Sequence, residues 1–211
     1  MSKAILLSIK PEWLAKILNG EKTIEVRKLF PKDYVGWVYL YCSRNGFLLF
    51  EEENSFRDNG KEYGLYAKKI DISEKEKHGY KYLNGKVVAR FWCDKVEGIY
   101  WKQEALNPYI NDEYELVTNS LSSFDLLNQS CLNETRLIDY LDKDCEGWNV
   151  GFAIHISKLE IFDKPKELRE FRKIGKHCKY QGRDTYCDYC SHCDCIGDEL
   201  TKAPQNYCYI E

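Results

Sequence analysis

Three residues near the N-terminus have the types and spacing of a polar ligand site. In the run Gly20-Glu21-Lys22-Thr23-Ile24-Glu25-Val26-Arg27, Lys22 stands at the mouth of an alternating segment. Glu25 and Arg27 are two apart, so they share one face of that segment. An ammonium, a carboxylate and a guanidinium at one strand end can bind a polar anion or hold a base edge by hydrogen bonds. The same trio also reads as a structural Glu–Arg pair inside a small β fold, and spacing alone leaves the two readings even. A desolvated Lys22 would serve as a general base, because burial favours the neutral amine. Glu25 beside it works the other way and holds the charge, which favours binding over catalysis.

A second group lies at the other end of the chain. Six of the ten cysteines fall in the last 34 residues, as His177-Cys178-x8-Cys187-x2-Cys190-x2-Cys193-x-Cys195-x12-Cys208. A C-x2-C hairpin offers two thiolates to one tetrahedral ion, which suits zinc. Four of Cys178, Cys187, Cys190, Cys193 and Cys195 are the expected ligands, with His177 and His192 in reserve. An all-thiolate site leaves no open position for water, so the zinc expected here is structural. An iron–sulfur cluster is the weaker reading, since the fourth Cys followed by Pro is missing. Disulfides formed in air and a redox switch are the other two.

Elsewhere the chemistry is thinner. Trp13 and Trp37 fit core packing by their periodicity, whereas Trp101 and Trp148 border an acidic segment and are better placed to stack on bases. His155 reads first as a satisfied structural histidine and second as a pocket group. Lys164, Lys166, Arg169, Arg172, Lys173, Lys176 and Lys179 are opposed only by Glu167 and Glu170; they read as a solvated helix or as phosphate contacts. No Ser-His-Asp order, phosphate-binding loop or dinucleotide fingerprint is present.

The elements that must position these groups follow from periodicity. Residues 4–9 form a short β run. Pro11 opens a helix over 11–19, where Trp13, Leu14, Ile17 and Leu18 recur at helical spacing and Asn19-Gly20 is the stop. Strands are predicted over 23–27, 36–42, 86–96 and 150–156, with a further short one at 48–50. Residues 51–85 read as loop with some helix. Residues 104–146 carry ten acids against Arg136 and Lys143, and include a helical stretch at 136–141. Such a charge run reads as a solvated insertion, or else as a protein-binding or nucleic-acid-mimicking face.

The chain of 211 residues suits one domain with an appendage. Hydrophobic residues at 44% allow a real core, and a net charge of −3 excludes a strongly cationic nucleic-acid coat. Residues 1–39 are nevertheless basic, seven cations against four acids, so an anionic ligand is expected near the N-terminal strands. No apolar run is long enough to span a bilayer, and the N-terminal apolar stretch is too short for a signal peptide, so a cytoplasmic setting without membrane contact is expected.

The segment Leu7-Ser8-Ile9-Lys10-Pro11, the helix to Gly20 and the run from Gly20 to Lys28 resemble the start of an ASCH domain, of the PUA-like superfamily. Residues 37–43 resemble the strand that follows in that family, and 150–168 its closing strand. The ending Pro204-Gln205-Asn206-Tyr207-Cys208-Tyr209-Ile210-Glu211 is similar to a tail of phage and prophage members. The resemblance implies an α+β, PUA-like small mixed β-barrel with flanking helices over 1–168, interrupted by the acidic insertion at about 102–146. With the cysteines it gives a Cys-rich, zinc-stabilised C-terminal extension over 169–211. It also implies a cleft that binds RNA or a modified nucleotide, with Lys10, Lys22, Thr23, Glu25, Arg27, Ser43 and Arg44 as its candidate ligand-binding residues. One branch of the family is an amidohydrolase acting on N4-acylated cytidine through a Lys, a Thr on the next strand and a distant Glu. Lys22 matches the Lys, so Lys22 and Glu25 are the catalytic candidates if the chain is an enzyme; the Thr position holds Glu25, and the distant Glu does not align, Glu97 being a guessed counterpart. A phage protein that binds a host nucleic-acid enzyme through the acidic insertion is the third expectation.

Overall fold

The run Ala-Ile-Leu-Leu-Ser-Ile has no polar alternation because its strand is covered on both faces. In β1 (Ala4–Ile9), Ile5, Leu6 and Leu7 are all fully buried. The structure is a computed structural model that describes residues 3–44, 48–53, 63–68, 82–103, 114–141, 150–174 and 196–211. After β1 come α1 (Pro11–Leu18), β2 (Ile24–Arg27), β3 (Gly36–Cys42), β4 (Leu48–Glu53), β5 (Tyr63–Lys68), β6 (Val87–Cys93), β7 (Val96–Gln103) and β8 (Tyr114–Val117). Then follow α2 (Ser123–Ser130), α3 (Glu134–Leu141), β9 (Gly151–His155), β10 (Ser157–Lys166), a 3-10 turn (Leu168–Glu170), β11 (Arg172–Ile174), β12 (Ile196–Glu199) and β13 (Tyr207–Ile210).

The chain divides into two compact units. One comprises residues 1–15, 36–91 and 160–211; the other comprises 16–35 and 92–159. The division falls inside α1, β6 and β10.

The first unit holds most of a seven-stranded sheet in the order β10-β6-β3-β1-β13-β11-β12. β1 runs parallel to β3, with Leu6 opposite Tyr39, and antiparallel to β13, with Leu6 opposite Cys208. Leu6, Tyr41, Val87, Phe171, Leu200, Cys208 and Ile210 form a core on it. Cys208 is therefore a packing residue, as the resemblance of the C-terminal tail implies. β4 and β5 pair as a separate hairpin, so part of the 51–85 region is strand.

The second unit is built on a four-stranded sheet, β2-β9-β7-β8, with α2 and α3 against it. Ile24 and Val26 of β2, Ala153 of β9 and Ile99 of β7 meet Leu126 of α2 and Leu137 and Leu141 of α3 in one core. The described part of the acidic segment is thus two-sided. Its Asp125, Glu134 and Asp139 face water, while its leucines build the centre of the unit.

The expected barrel is not found. Among the described residues each sheet has two terminal strands and none closes on itself. The cause lies in the C-terminal segment: β13 takes the free side of β1, and β11 and β12 extend the sheet beyond it. The zinc-stabilised extension is corrected with it. Among the described residues no group of three or more His, Cys, Asp or Glu could hold a metal ion, and Cys42, Cys93, Cys131 and Cys208 are free thiols. Cys178, Cys187, Cys190, Cys193 and Cys195, with His177 and His192, lie outside the described residues. What holds the described extension is strand pairing and burial of Phe171, Leu200 and Ile210. The basic stretch is corrected too: its described part is β10, the 3-10 turn and β11, not a helix. No helix among the described residues is long and apolar enough to cross a membrane.

Candidate functional site

Lys22 reaches its position through the way α1 ends. Gly20 adopts a φ of +74°, and the amides of Glu21 and Lys22 both donate to the Lys16 carbonyl, at 2.9 and 3.0 Å. Only a residue tolerant of the left-handed region makes that reversal at low cost. Thr23 is then held by its backbone, its N–H donating to Gln129 at 2.9 Å and its carbonyl accepting from Ile156 at 3.0 Å. Lys22 points inward and is 2% exposed.

There it meets the other two members of the predicted trio. The Glu25 carboxylate lies 3.5 Å from Lys22 Nζ through Oε2 and 3.0 Å from Arg27 Nε through Oε1. Lys22 Nζ also donates to the Ser130 carbonyl, at the end of α2, at 2.6 Å. Glu25 is 6% exposed, and the Arg27 side chain 12%. Two cations therefore share one carboxylate in poorly hydrated surroundings. Burial is the strongest influence on Lys22 and pulls its pKa below the ordinary lysine value; Glu25, and to a lesser degree Cys131, oppose the fall. The Glu25 carboxylate does not fully offset the burial, which differs from the reading that Glu25 simply holds the lysine charged.

Glu97 does not join this group. Glu25 lies opposite Ile154, and Val26 opposite Ala153; on the other side of β9, Ala153 lies opposite Glu97. Directly paired residues share a face. Glu97 is therefore on the Val26 side of the sheet and Glu25 on the reverse.

Glu97 instead organises a second cluster that the sequence did not announce. It is 4% exposed. Its Oε2 accepts from Ser120 Oγ at 2.6 Å and lies 2.8 Å from His155 Nε2, and its Oε1 is 3.1 Å from Lys95 Nζ. Lys95 Nζ also donates to Ser120 Oγ at 2.9 Å. Burial alone would raise the Glu97 carboxyl, but the hydrogen bonds from Ser120, His155 and Lys95 outweigh it and hold the pKa below the ordinary value. Thr118 Oγ1 accepts from the N–H groups of Ser120 and Leu121, at 3.3 and 3.0 Å, and so fixes the loop that carries Ser120. Ser120 gives its proton to a carboxylate, which suits a tie between loop and sheet rather than a nucleophile. His155 is satisfied by Glu97. The only signal in the sequence was Lys95 and Glu97 two apart at a strand start.

The remaining candidates belong to the first unit. Lys10 is exposed, and its carbonyl accepts from Leu14 at the start of α1. The Ser43 N–H donates to Ile9 at 2.9 Å, and its carbonyl accepts from Asn84 Nδ2 at 3.1 Å. Arg44 is exposed and its guanidinium lies against Gly85, where a β-carbon would stand 2.5 Å from Nε. Trp101 packs on the core of the second unit, and Trp148 lies outside the described residues.

No family model matches the sequence, and no curated protein matches it. Among solved structures, the chain is similar to ASCH from Zymomonas mobilis, with a TM-score of 0.43 and 15% identity over 78% of this chain and 73% of that one. Two single-substitution variants of the Zymomonas mobilis protein align alike, with TM-scores of 0.43 and 0.42 and 15% identity, covering 79% and 78% of this chain and 77% and 74% of theirs. The likeness is too distant to carry a residue role.

Proposed function

We propose that the chain binds RNA or a nucleotide-like ligand at Lys22, Glu25 and Arg27 without turning it over. One observation carries this reading: a buried ammonium and a mostly buried guanidinium converge on the Glu25 carboxylate, with the Ser130 carbonyl beside them. Two cationic donors set around one carboxylate offer the donor and acceptor pattern that an anionic group or a base edge takes. Equilibrium binding of cytidine nucleotides and short RNA tests it. Lys22→Ala, and Arg27→Lys as a variant that keeps the charge but loses the planar fork, should both weaken binding. Affinity should fall with rising salt. A flat salt response, or unchanged affinity in both variants, would refute the reading.

A second reading, hydrolysis of the amide of an N4-acylated cytidine, is favoured by the lowered pKa of Lys22, since a general base must shed its proton. Glu25 in the Thr position and the Ser130 carbonyl on Nζ oppose it. Incubation with N4-acetylcytidine decides, with Lys22→Ala as the control. A third reading places the chain in a phage or prophage, binding a host nucleic-acid enzyme through the acidic segment. Exposed Asp125, Glu134 and Asp139 favour it, and neutralising them should abolish capture of that enzyme.

A further inference from the structure

One face of the seven-stranded sheet carries a cationic and aromatic strip, separate from Lys22 and its partners. Side chains alternate along a strand, so Glu160, Phe162, Lys164 and Lys166 of β10 share a face. Arg90 of β6 reaches that face: its Nε is 2.7 Å from Glu160 Oε2, and its Nη1 donates to Tyr39 Oη at 3.3 Å. The guanidinium stands 4.1 Å from the centre of the Trp37 ring, a stacking distance, and its side chain is still 31% exposed. Phe162 lies 6.1 Å from Tyr39, and Lys166 Nζ is 5.2 Å from the Phe162 ring centre. Two bonds and a ring thus fix a flat guanidinium at the surface with further aromatic rings beside it.

The charge around this strip is not neutralised internally. Glu160 is committed to Arg90, Glu167 to Lys86 at 3.1 Å, and Glu170 to the Glu167 N–H at 2.6 Å. Asp163 alternates to the other face of β10. Among the described residues, Lys164 and Lys166 have no ion-pair partner. All of them lie in one unit of the chain.

We infer that this strip is a binding surface for single-stranded nucleic acid, with Lys164 and Lys166 on phosphates and Arg90 and Trp37 as the stacking platform for a base. Unpaired bases stack on aromatic rings and on guanidinium planes, whereas duplex DNA or RNA keeps its base faces hidden. An acidic protein would satisfy the lysines but leave the planar groups unused.

Fluorescence anisotropy with labelled single-stranded oligouridine and oligothymidine, about twelve nucleotides long to span one binding surface, tests the inference. Lys164→Gln/Lys166→Gln should flatten the dependence of log K on log salt by about 1.4, two phosphates at about 0.7 each. Trp37→Leu and Arg90→Lys should weaken binding about 5- to 150-fold, the range for losing one stacked base. Arg90→Lys keeps the charge, and thermal melting of each variant shows whether the fold survives. Lys22→Ala measured in parallel separates this strip from the Lys22 group, so each reading stands or falls on its own variants. The inference is overturned if no oligonucleotide binds, or if the double lysine variant leaves the salt slope unchanged. It is also overturned if polyglutamate competes as well as oligouridine, or if heparin binding is the only binding seen and Trp37→Leu does not affect it.

Discussion

Replacing Glu25 by Gln tests the energetics of the buried charges. The substitution keeps the size and removes the negative charge that both Lys22 and Arg27 face. Lys22 and Glu25 are both almost wholly buried, so solvent screening reduces the effect little. Removing one partner of a buried pair costs about 3–5 kcal/mol. A degree of melting temperature corresponds to roughly 0.25–0.5 kcal/mol in a chain of this size, so the midpoint should fall by about 6–20 °C. The diagnostic step is the second change. Lys22→Met in the Glu25→Gln background removes the stranded ammonium and should restore a large part of the loss, because an apolar replacement of a buried pair is often neutral. Urea denaturation of the four proteins gives the coupling energy directly. A further check comes from alkaline pH. The folded-state pKa of Lys22 lies below its unfolded value, so the unfolded chain binds more protons between the two, and the stability cost of burying the lysine is relieved as pH rises toward about 10.5. The wild-type minus Lys22→Met difference in unfolding free energy should therefore rise over that range; taking a difference cancels the opposite trend from Tyr41, Tyr209 and Cys208, whose pKa values are raised by burial. A Glu25→Gln loss under about 1 kcal/mol, or a double variant no more stable than the single one, would show that these charges are hydrated and that the reasoning is wrong.

Glu97→Gln should flatten the acid limb of the stability curve. The depressed pKa of Glu97 means that its contribution is present above the unfolded value of about 4.5 and is lost as pH falls through the folded one; unchanged acid denaturation would contradict the network. Gly151→Ala should destabilise by about 1–3 kcal/mol, since a β-carbon there would meet Leu141 Cδ2 at 2.6 Å and the Arg27 carbonyl at 3.1 Å. Guanidinium titration measures it, and a neutral result would place Leu141 elsewhere. Deleting residues 207–211 should unfold the first unit rather than trim an appendage, because it removes β13 and the buried Ile210; native-like circular dichroism and melting after deletion would refute this.

Local patterns made the N-terminal third legible. The apolar run of β1, the helical spacing of Trp13 to Leu18, the glycine stop and the alternation of β2 all declare themselves within a few residues, and Lys22, Glu25 and Arg27 do come together. α2 was missed although its signal is present: Ser122 Oγ accepts from the Asp125 N–H at 3.1 Å, the Ser-x-x-acid pattern of a helix start. The acids at Asp125 and Asp139 mask the inner sides of the two helices, where Leu126 of α2 and Leu137 and Leu141 of α3, four apart, build the core. Pairing across long separations was not legible. The alternation of Tyr207 to Ile210 reads as strand-like, but nothing near it names β1 as its neighbour. Nor does any local pattern bring Ser120 to Glu97, because the loop that carries it is placed by Thr118.

The adjacency of β1 and β13 has a consequence for biosynthesis. One side of β1 pairs with β3 early, but the other side, at Ala4 to Leu7, finds its partners only when positions 207–210 have emerged from the ribosome. During translation the hydrophobic edge of β1 waits open, and an open strand edge recruits whatever strand arrives first. A growing chain with this layout gains from a holding chaperone or from rapid completion. Stalled fragments that lack the last five residues should be prone to clump on that edge, and an added strand-like tag at either terminus would sit within reach of it.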